Sequence, residues 1–185
     1  MRVIGISGSL RRDSYNTKLL LEAGRLLDEE GVELVIYEAL GNVPPYDEDD
    51  DTADAPAAVA DFRDAIAGAD AVLFATPEYN GSVPGGLKNA VDWASRPKFE
   101  AALTNKTVAV IGASIGQFGA MWAQADLRKI LGAAGARVVG DELPVTRAHE
   151  RFDAEGRLLD AELFERLHLT LETLASEAVP VALAV

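Results

Sequence analysis

Residues 5–16 read GISGSLRRDSYN. The β-forming run RVIGI (2–6) precedes them, and TKLLLEAGRLLDEE (17–30) follows with apolar residues at helical spacing. The stretch is therefore a joint between a strand and a helix. Three serines, two adjacent arginines and an asparagine are packed into that joint. A helix that starts there presents unpaired N–H groups and the positive end of its dipole, which together favour an anion. Ser9, Ser14 and Asn16 can donate hydrogen bonds to phosphate oxygens, and one arginine can add a two-pronged, charge-assisted contact. The alternative for the same residues is that Ser14 or Asn16 only caps the helix and the arginines are solvated.

The pattern of the joint repeats outward along the chain. Strands are expected at 2–7, 32–39, 70–76, 106–113 and 136–145. Helices are expected at 16–30, 56–69, 84–95, 119–134 and 160–178. The first helix places Leu19, Leu20, Ala23, Leu26 and Leu27 on one side, and Gly31 ends it. The fourth has Met121, Ala125, Leu127 and Leu131 as its expected core side. DAVLFAT (70–76) is apolar without alternation, as a strand covered on both faces is. Alternation of this kind predicts a single α/β domain over 1–185: a doubly wound, five-stranded parallel sheet with helices on both faces. Ligands of such sheets bind beyond the carboxyl ends of the strands.

Composition narrows the partners. With 17 basic and 30 acidic residues the net charge is −13, which opposes phosphodiester backbones and anionic lipid, so neither nucleic acid nor membrane is expected as a partner. The chain has no cysteine, which removes disulfides, thiolate nucleophiles and thiol metal sites and is compatible with the cytoplasm. His149 and His168 are the only histidines and are not spaced as metal ligands. No apolar run approaches the roughly 20 residues needed to span a bilayer, and no signal peptide is expected. The acidic run 48–54 reads as a solvated loop.

The first loop is neither G-x-G-x-x-G nor G-x-x-x-x-G-K-[ST]. Its hydroxyls suit a terminal monophosphate, whereas a pyrophosphate needs closer backbone approach and more glycine. After the third strand comes TPEYNGSVPGGLKNAVDWASRP (76–97), with Asn80–Gly81 as a turn pair and Pro84 opening the next helix. A stiff loop of this kind presents main-chain donors and acceptors to the edge of a flat heterocycle, with Tyr79 beside it. Glu78 can anchor the loop or reach a neighbouring subunit. The alternative is a structural turn with a surface tyrosine. After the fourth strand, Ser114, Gly116 and Gly119 indicate a second close backbone approach.

GSLRRDSYN followed by PEYNGSVPGGLKNAVDWASRP resembles the NADPH-dependent FMN reductase family, the flavodoxin-like group that includes quinone, chromate and azo-dye reductases. HERFDAEGRLLD (149–160) is similar to the segment ahead of that family's last helix. The resemblance runs to about residue 160 and implies a flavodoxin-like fold, FMN as cofactor, and NADPH or NADH as co-substrate. It implies phosphate contacts from Ser9, Arg11, Ser14 and Asn16, with Tyr15 nearby. It implies ring contacts from Pro77, Glu78, Tyr79, Asn80 and Ser82, with Ser114 and Gly116 at the other end of the flavin. Arg12 is left solvent-facing or at an interface, and GQFGAMW (116–122) departs from the paired glycines of many relatives. A homodimer or homotetramer is also implied, with Trp93, Phe118 and Trp122 as interface or internal-packing residues. The expected function is an FMN-dependent NAD(P)H oxidoreductase passing hydride to quinones, flavins or other small acceptors in a ping-pong scheme. No catalytic side chain and no metal is nominated. The rivals are an electron carrier of the flavodoxin type, whose class uses a Thr-rich phosphate loop instead, and a non-catalytic FMN-binding sensor.

Overall fold

The computed structural model describes residues 1–178, so the last residues of the expected 1–185 domain lie outside the described residues. Six strands form one parallel sheet: β1 (Arg2–Ser7), β2 (Glu33–Tyr37), β3 (Ala71–Ala75), β4 (Thr107–Ala113), β5 (Arg137–Val138) and β6 (Leu143–Val145). Their order is β2-β1-β3-β4-β5, with β6 also on β4. Five helices connect them: α1 (Tyr15–Glu29), α2 (Ala57–Ala67), α3 (Gly85–Ala94), α4 (Met121–Ala133) and α5 (Ala161–Glu177). The expected flavodoxin-like architecture is the observed one.

The sheet has a core on each face. Leu19, Leu20 and Leu27 of α1 meet Leu167, Leu171 and Leu174 of α5 on one side. Phe62 and Ile66 of α2, Leu87 and Val91 of α3, and Leu127 and Leu131 of α4 pack on the other. Every residue of β3 and β4 is buried, because helices cover both faces of these central strands. Each fully buried Leu, Ile or Phe contributes about 1.5–3 kcal/mol relative to exposure.

Three expectations need correction, and for Trp93 one of two open alternatives is decided. The fifth strand is not continuous over 136–145. β5 pairs with the first residues of β4 and β6 with its last, and Gly140 turns between them at φ +64°. Arg128 of α4 fills the break by donating to the carbonyls of Val139 (3.3 Å) and Gly140 (2.8 Å). The core side of α4 is Ala123, Gln124, Leu127 and Leu131, while Met121 and Ala125 are exposed. Trp93 is an internal residue: it is fully buried, and its indole N–H donates to the carbonyl of Pro44 at 2.9 Å. Asp51 of the acidic run is not merely solvated, since Arg63 of α2 holds it at 2.7 Å with both side chains largely covered.

Candidate functional site

β2 lies on one side of β1 and β3 on the other, so the strand order reverses beside β1. The loops after β1, β3 and β4 meet at the carboxyl edge of that switch point, where ligands of open α/β sheets bind. Main-chain bonds stitch them together: Gly8 N–H donates to Ala75 O at 2.8 Å, and Thr76 N–H to Ile111 O at 2.9 Å. Gly8 has no room for a side chain, because a Cβ there would stand 2.8 Å from Leu87 Cδ2 and 3.2 Å from Pro77 Cδ. All twelve expected site residues lie on these three loops and the first turn of α1.

In the first loop, Ser14 is the N-cap of α1, and its Oγ accepts from Asn16 N–H at 3.2 Å. Among the described residues, the first-turn N–H groups of Tyr15 and Thr17 find no protein acceptor, leaving two donors at the positive end of the helix. The Asn16 side chain is committed elsewhere: its amide donates to Ala113 O at 3.0 Å and accepts from Ala113 N–H at 2.9 Å, clamping the helix start to the end of β4. Ser9 Oγ accepts from Arg11 N–H at 3.4 Å. The Arg11 guanidinium donates to Asp13 O and lies 5.5 Å from the centre of the Tyr15 ring. Tyr15 stacks on Phe152 at 6.0 Å, which seats the 149–160 segment against α1. Lys18 pairs with Asp13 at 2.8 Å and holds that carboxyl below the usual range.

The second loop is a two-residue hairpin. Tyr79 and Ser82 exchange main-chain hydrogen bonds of 3.0 and 3.2 Å around Asn80 (φ +54°) and Gly81 (φ +76°), a turn that needs two left-handed residues. Glu78 anchors this loop. Its Oε2 accepts from the N–H groups of Trp122 (3.1 Å) and Ala123 (3.2 Å), at the start of α4. Ser82 Oγ donates to Asp126 Oδ2 of the same helix at 2.7 Å. Pro77 is buried and Tyr79 is 52% exposed.

In the third loop, Ser114 Oγ accepts from Gly116 N–H at 3.2 Å, folding the chain back over the end of β4. Arg147 N–H donates to Gly116 O at 2.9 Å, and Ala148 N–H to Ser114 O at 3.0 Å. Gly119 passes so close to Pro144 that a Cβ would stand 2.6 Å from its carbonyl carbon. Gln124 was not legible in the sequence, since a lone glutamine in a helix carries no signal. It is fully buried, donates to Gly119 O at 3.0 Å and accepts from Leu143 N–H at 2.9 Å. Asp126 escaped sequence reading for the same reason. Beside these loops Ile115, Phe118, Met121 and Trp122 are exposed, with Phe118 and Trp122 rings 4.7 Å apart.

These residues fit FMN. Two free N–H donors, the Ser9 hydroxyl and the Arg11 guanidinium are of the types that could hold a monophosphate, and the hairpin and the 114–116 turn offer main-chain groups that could meet a flat ring. The sequence profile described as NADPH-dependent FMN reductase matches residues 1–150. The chain belongs to that family. It is 44% identical over 175 residues to a NAD(P)H-dependent FMN reductase of Pseudomonas aeruginosa, covering 94% of this chain and 93% of that one. It is 34% identical over 177 residues to a 2-hydroxy-1,4-benzoquinone reductase of a Burkholderia species, covering 95% of each. Among solved structures, FerB of Paracoccus denitrificans, a flavoenzyme NAD(P)H:(acceptor) oxidoreductase, matches with a TM-score of 0.82 and 35% identity over 96% of this chain and 99% of that one. As an FMN reductase family member, the chain shares the fold at the level of the whole sheet and not of one motif.

Proposed function

We propose that the protein is an FMN-dependent NAD(P)H oxidoreductase that delivers reducing equivalents to quinones, flavins or other small acceptors. The observation that carries this reading is the cradle at the start of α1, where unpaired N–H groups, Ser9 and Arg11 converge beside two pinned loops. Arg11, Ser9 and the first turn of α1 hold the phosphate. Ser14 and Asn16 support it from behind, as cap and clamp. Pro77, Tyr79 and Asn80 would hold the ring along the hairpin, which Glu78 and Ser82 fasten to α4, and Ser114 and Gly116 would serve its far end. When bound, FMN supplies the ring that takes hydride from NAD(P)H and returns it to the acceptor. The chain's own part is to bind, orient and exclude water, so no acid–base pair or nucleophile is required.

Tyr79, exposed on the hairpin, would shape the entrance through which donor and acceptor would reach a bound flavin in turn. The apolar strip of Ile115, Phe118, Met121 and Trp122 next to the site supports a homodimer or homotetramer that closes over it. No helix among the described residues is long and apolar enough to cross a membrane. The cytoplasm, which supplies NAD(P)H, is the compartment we assign.

The test is to load the purified protein with FMN and follow NADPH and NADH oxidation with and without a benzoquinone. Stoichiometric flavin and acceptor-dependent turnover are expected. Bound flavin with negligible turnover would convert the reading to a carrier or a sensor. Absence of flavin binding at saturating supply would overturn it.

A further inference from the structure

Away from the three loops, side chains from two helices form a group with ligand chemistry of its own. Glu30 is the C-cap residue of α1, and His168 and Glu172 stand four residues apart on α5, a spacing that puts both on one face. Because α1 and α5 pack on the same side of the sheet, the three side chains meet. His168 Nε2 is 3.3 Å from Glu30 Oε1, and His168 Nδ1 is 3.8 Å from Glu172 Oε1. One ligand atom from each of the three residues lies within 4.8 Å of the other two.

The charges around this group do not balance. Other covered carboxylates of the protein are given a guanidinium: Glu22 has Arg25, Asp51 has Arg63 and Asp160 has Arg151. Among the described residues, Glu30 and Glu172 pair with no lysine or arginine, and each faces only the imidazole. The stretch DEEGVE (28–33) adds further acids beside Glu30, in a chain whose net charge is −13. Two carboxylates that share one imidazole repel each other, and a divalent cation between them removes the repulsion. Imidazole is in addition the commonest side-chain metal ligand.

The donor set selects the ion. One imidazole and two carboxylates suit zinc, with water completing a tetrahedral shell, whereas magnesium and calcium ask for six or more oxygen ligands. A zinc ion has bonds of about 2.0–2.2 Å and so keeps its ligand atoms roughly 3.3–3.6 Å apart. The His168–Glu30 pair already has that separation, and both glutamates are about half exposed, with room to swing onto the ion. We propose that Glu30, His168 and Glu172 form a divalent-cation site of the zinc type that ties the C-terminal end of α1 to α5. No spacing in the sequence announces it, since its ligands come from two helices. It is also separate from the candidate FMN site, because α1 carries the chain about 22 Å from the phosphate cradle to Glu30. The proposal is independent of the oxidoreductase reading.

The test is a calorimetric titration of zinc chloride into the tag-free, metal-stripped full chain. One ion per chain should bind, and free zinc at about 100 times the Kd should raise Tm by roughly 5–10 °C. Magnesium chloride at the same concentrations should leave Tm unchanged. Loss of a group that merely supports a ligand costs about 10–100-fold in metal affinity, so His168→Ala, which removes a ligand, should cost at least about 100-fold. Glu30→Gln and Glu172→Gln should each weaken zinc by at least about tenfold. His149→Ala, which removes the other histidine, should bind zinc as wild type does. FMN affinity of Glu172→Gln should match wild type, because the cradle lies at the far end of α1. Absence of zinc binding to wild type up to about 0.1 mM overturns the proposal. So does wild-type zinc affinity in His168→Ala, or loss of binding in His149→Ala, which would place the ion elsewhere. If His168→Ala does not fold, the two glutamine variants decide, and unchanged zinc affinity in both overturns the site.

Discussion

Replacing Glu78 by alanine removes the acceptor that α4 cannot supply for itself. The N-cap residue of α4 is Ala120, which has a left-handed backbone (φ +62°, ψ +30°) and no side-chain oxygen. Glu78 serves instead, from a loop 44 residues away, and satisfies the N–H groups of both Trp122 and Ala123. Loss of an N-cap acceptor costs about 0.5–2 kcal/mol, and a carboxylate at a helix N-terminus adds about 0.3–1 kcal/mol of dipole interaction. Glu78→Ala should therefore destabilise by about 1–2 kcal/mol. In a chain of this size about 1 kcal/mol corresponds to roughly 2–4 °C in Tm, so a fall of roughly 2–8 °C is expected. Glu78→Gln keeps an amide oxygen that can accept and loses mainly the charge, so it should fall by less than half as much. The assay is thermal unfolding followed by circular dichroism, with FMN affinity from flavin fluorescence on the same samples. FMN affinity should fall with Glu78→Ala, because the hairpin carrying Tyr79 and Asn80 then rests on the Ser82–Asp126 bond alone. Adding Ser82→Ala should cost more than the sum of the two single changes, as expected for two anchors of one loop. A Glu78→Ala protein that melts within 1 °C of wild type, as judged against the roughly 2–8 °C expected from the cap, refutes the anchoring role.

Arg11→Ala should weaken FMN binding by about 1.5–3 kcal/mol, the range for a charge-assisted hydrogen bond; equilibrium titration with FMN measures it, and unchanged affinity removes Arg11 from the phosphate cradle. Gln124→Leu should lower stability by upwards of about 2 kcal/mol, because Gly119 O and Leu143 N–H each lose a buried partner; urea unfolding of the apoprotein is the readout. Tyr37 is half-buried and donates to Asp61 at 2.8 Å, and burial followed by that hydrogen bond pushes its phenol well above the ordinary value. The folded state therefore keeps a proton that the unfolded chain releases near pH 10, so this contribution is intact below that pH and fades as the solution becomes more alkaline. Denaturation of wild type and Tyr37→Phe across that range should converge as pH rises, and parallel curves would show that Tyr37 does not contribute in this way.

Much of the fold was legible because two periodicities alternate cleanly along the chain. Continuous apolarity in 71–75 and 107–113 marks central strands, and Asn80–Gly81 fixes a hairpin through backbone sterics alone. The break at Gly140 was hidden, since ARVVGDELPV has a strand-like composition on both sides of the glycine and nothing local announces that Arg128 fills the gap. The core face of α4 was misread at Met121 and Ala125 because the helix starts within an exposed apolar strip, so apolarity there does not mark burial. At the site, the residue types and their loops were readable from local motifs. Their division of labour was not: Asn16 and Glu78 have the right chemistry for a ligand, yet both bind main chain far away in sequence. Only the folded geometry distinguishes a side chain facing a ligand from one facing another loop.

The Asn16–Ala113 clamp also sets an order of events during synthesis. The residues that would grip a phosphate emerge first from the ribosome, but the partner that fixes their helix start is 97 positions downstream. Until β4 has been made and laid beside β3, the opening turn of α1 lacks this clamp, although its own Ser14 cap and the packing of α1 on β1 and β2 are already available. A nascent chain stopped before residue 113 would carry the whole GSLRRDSYN motif and still lack the clamp that fixes the start of its helix.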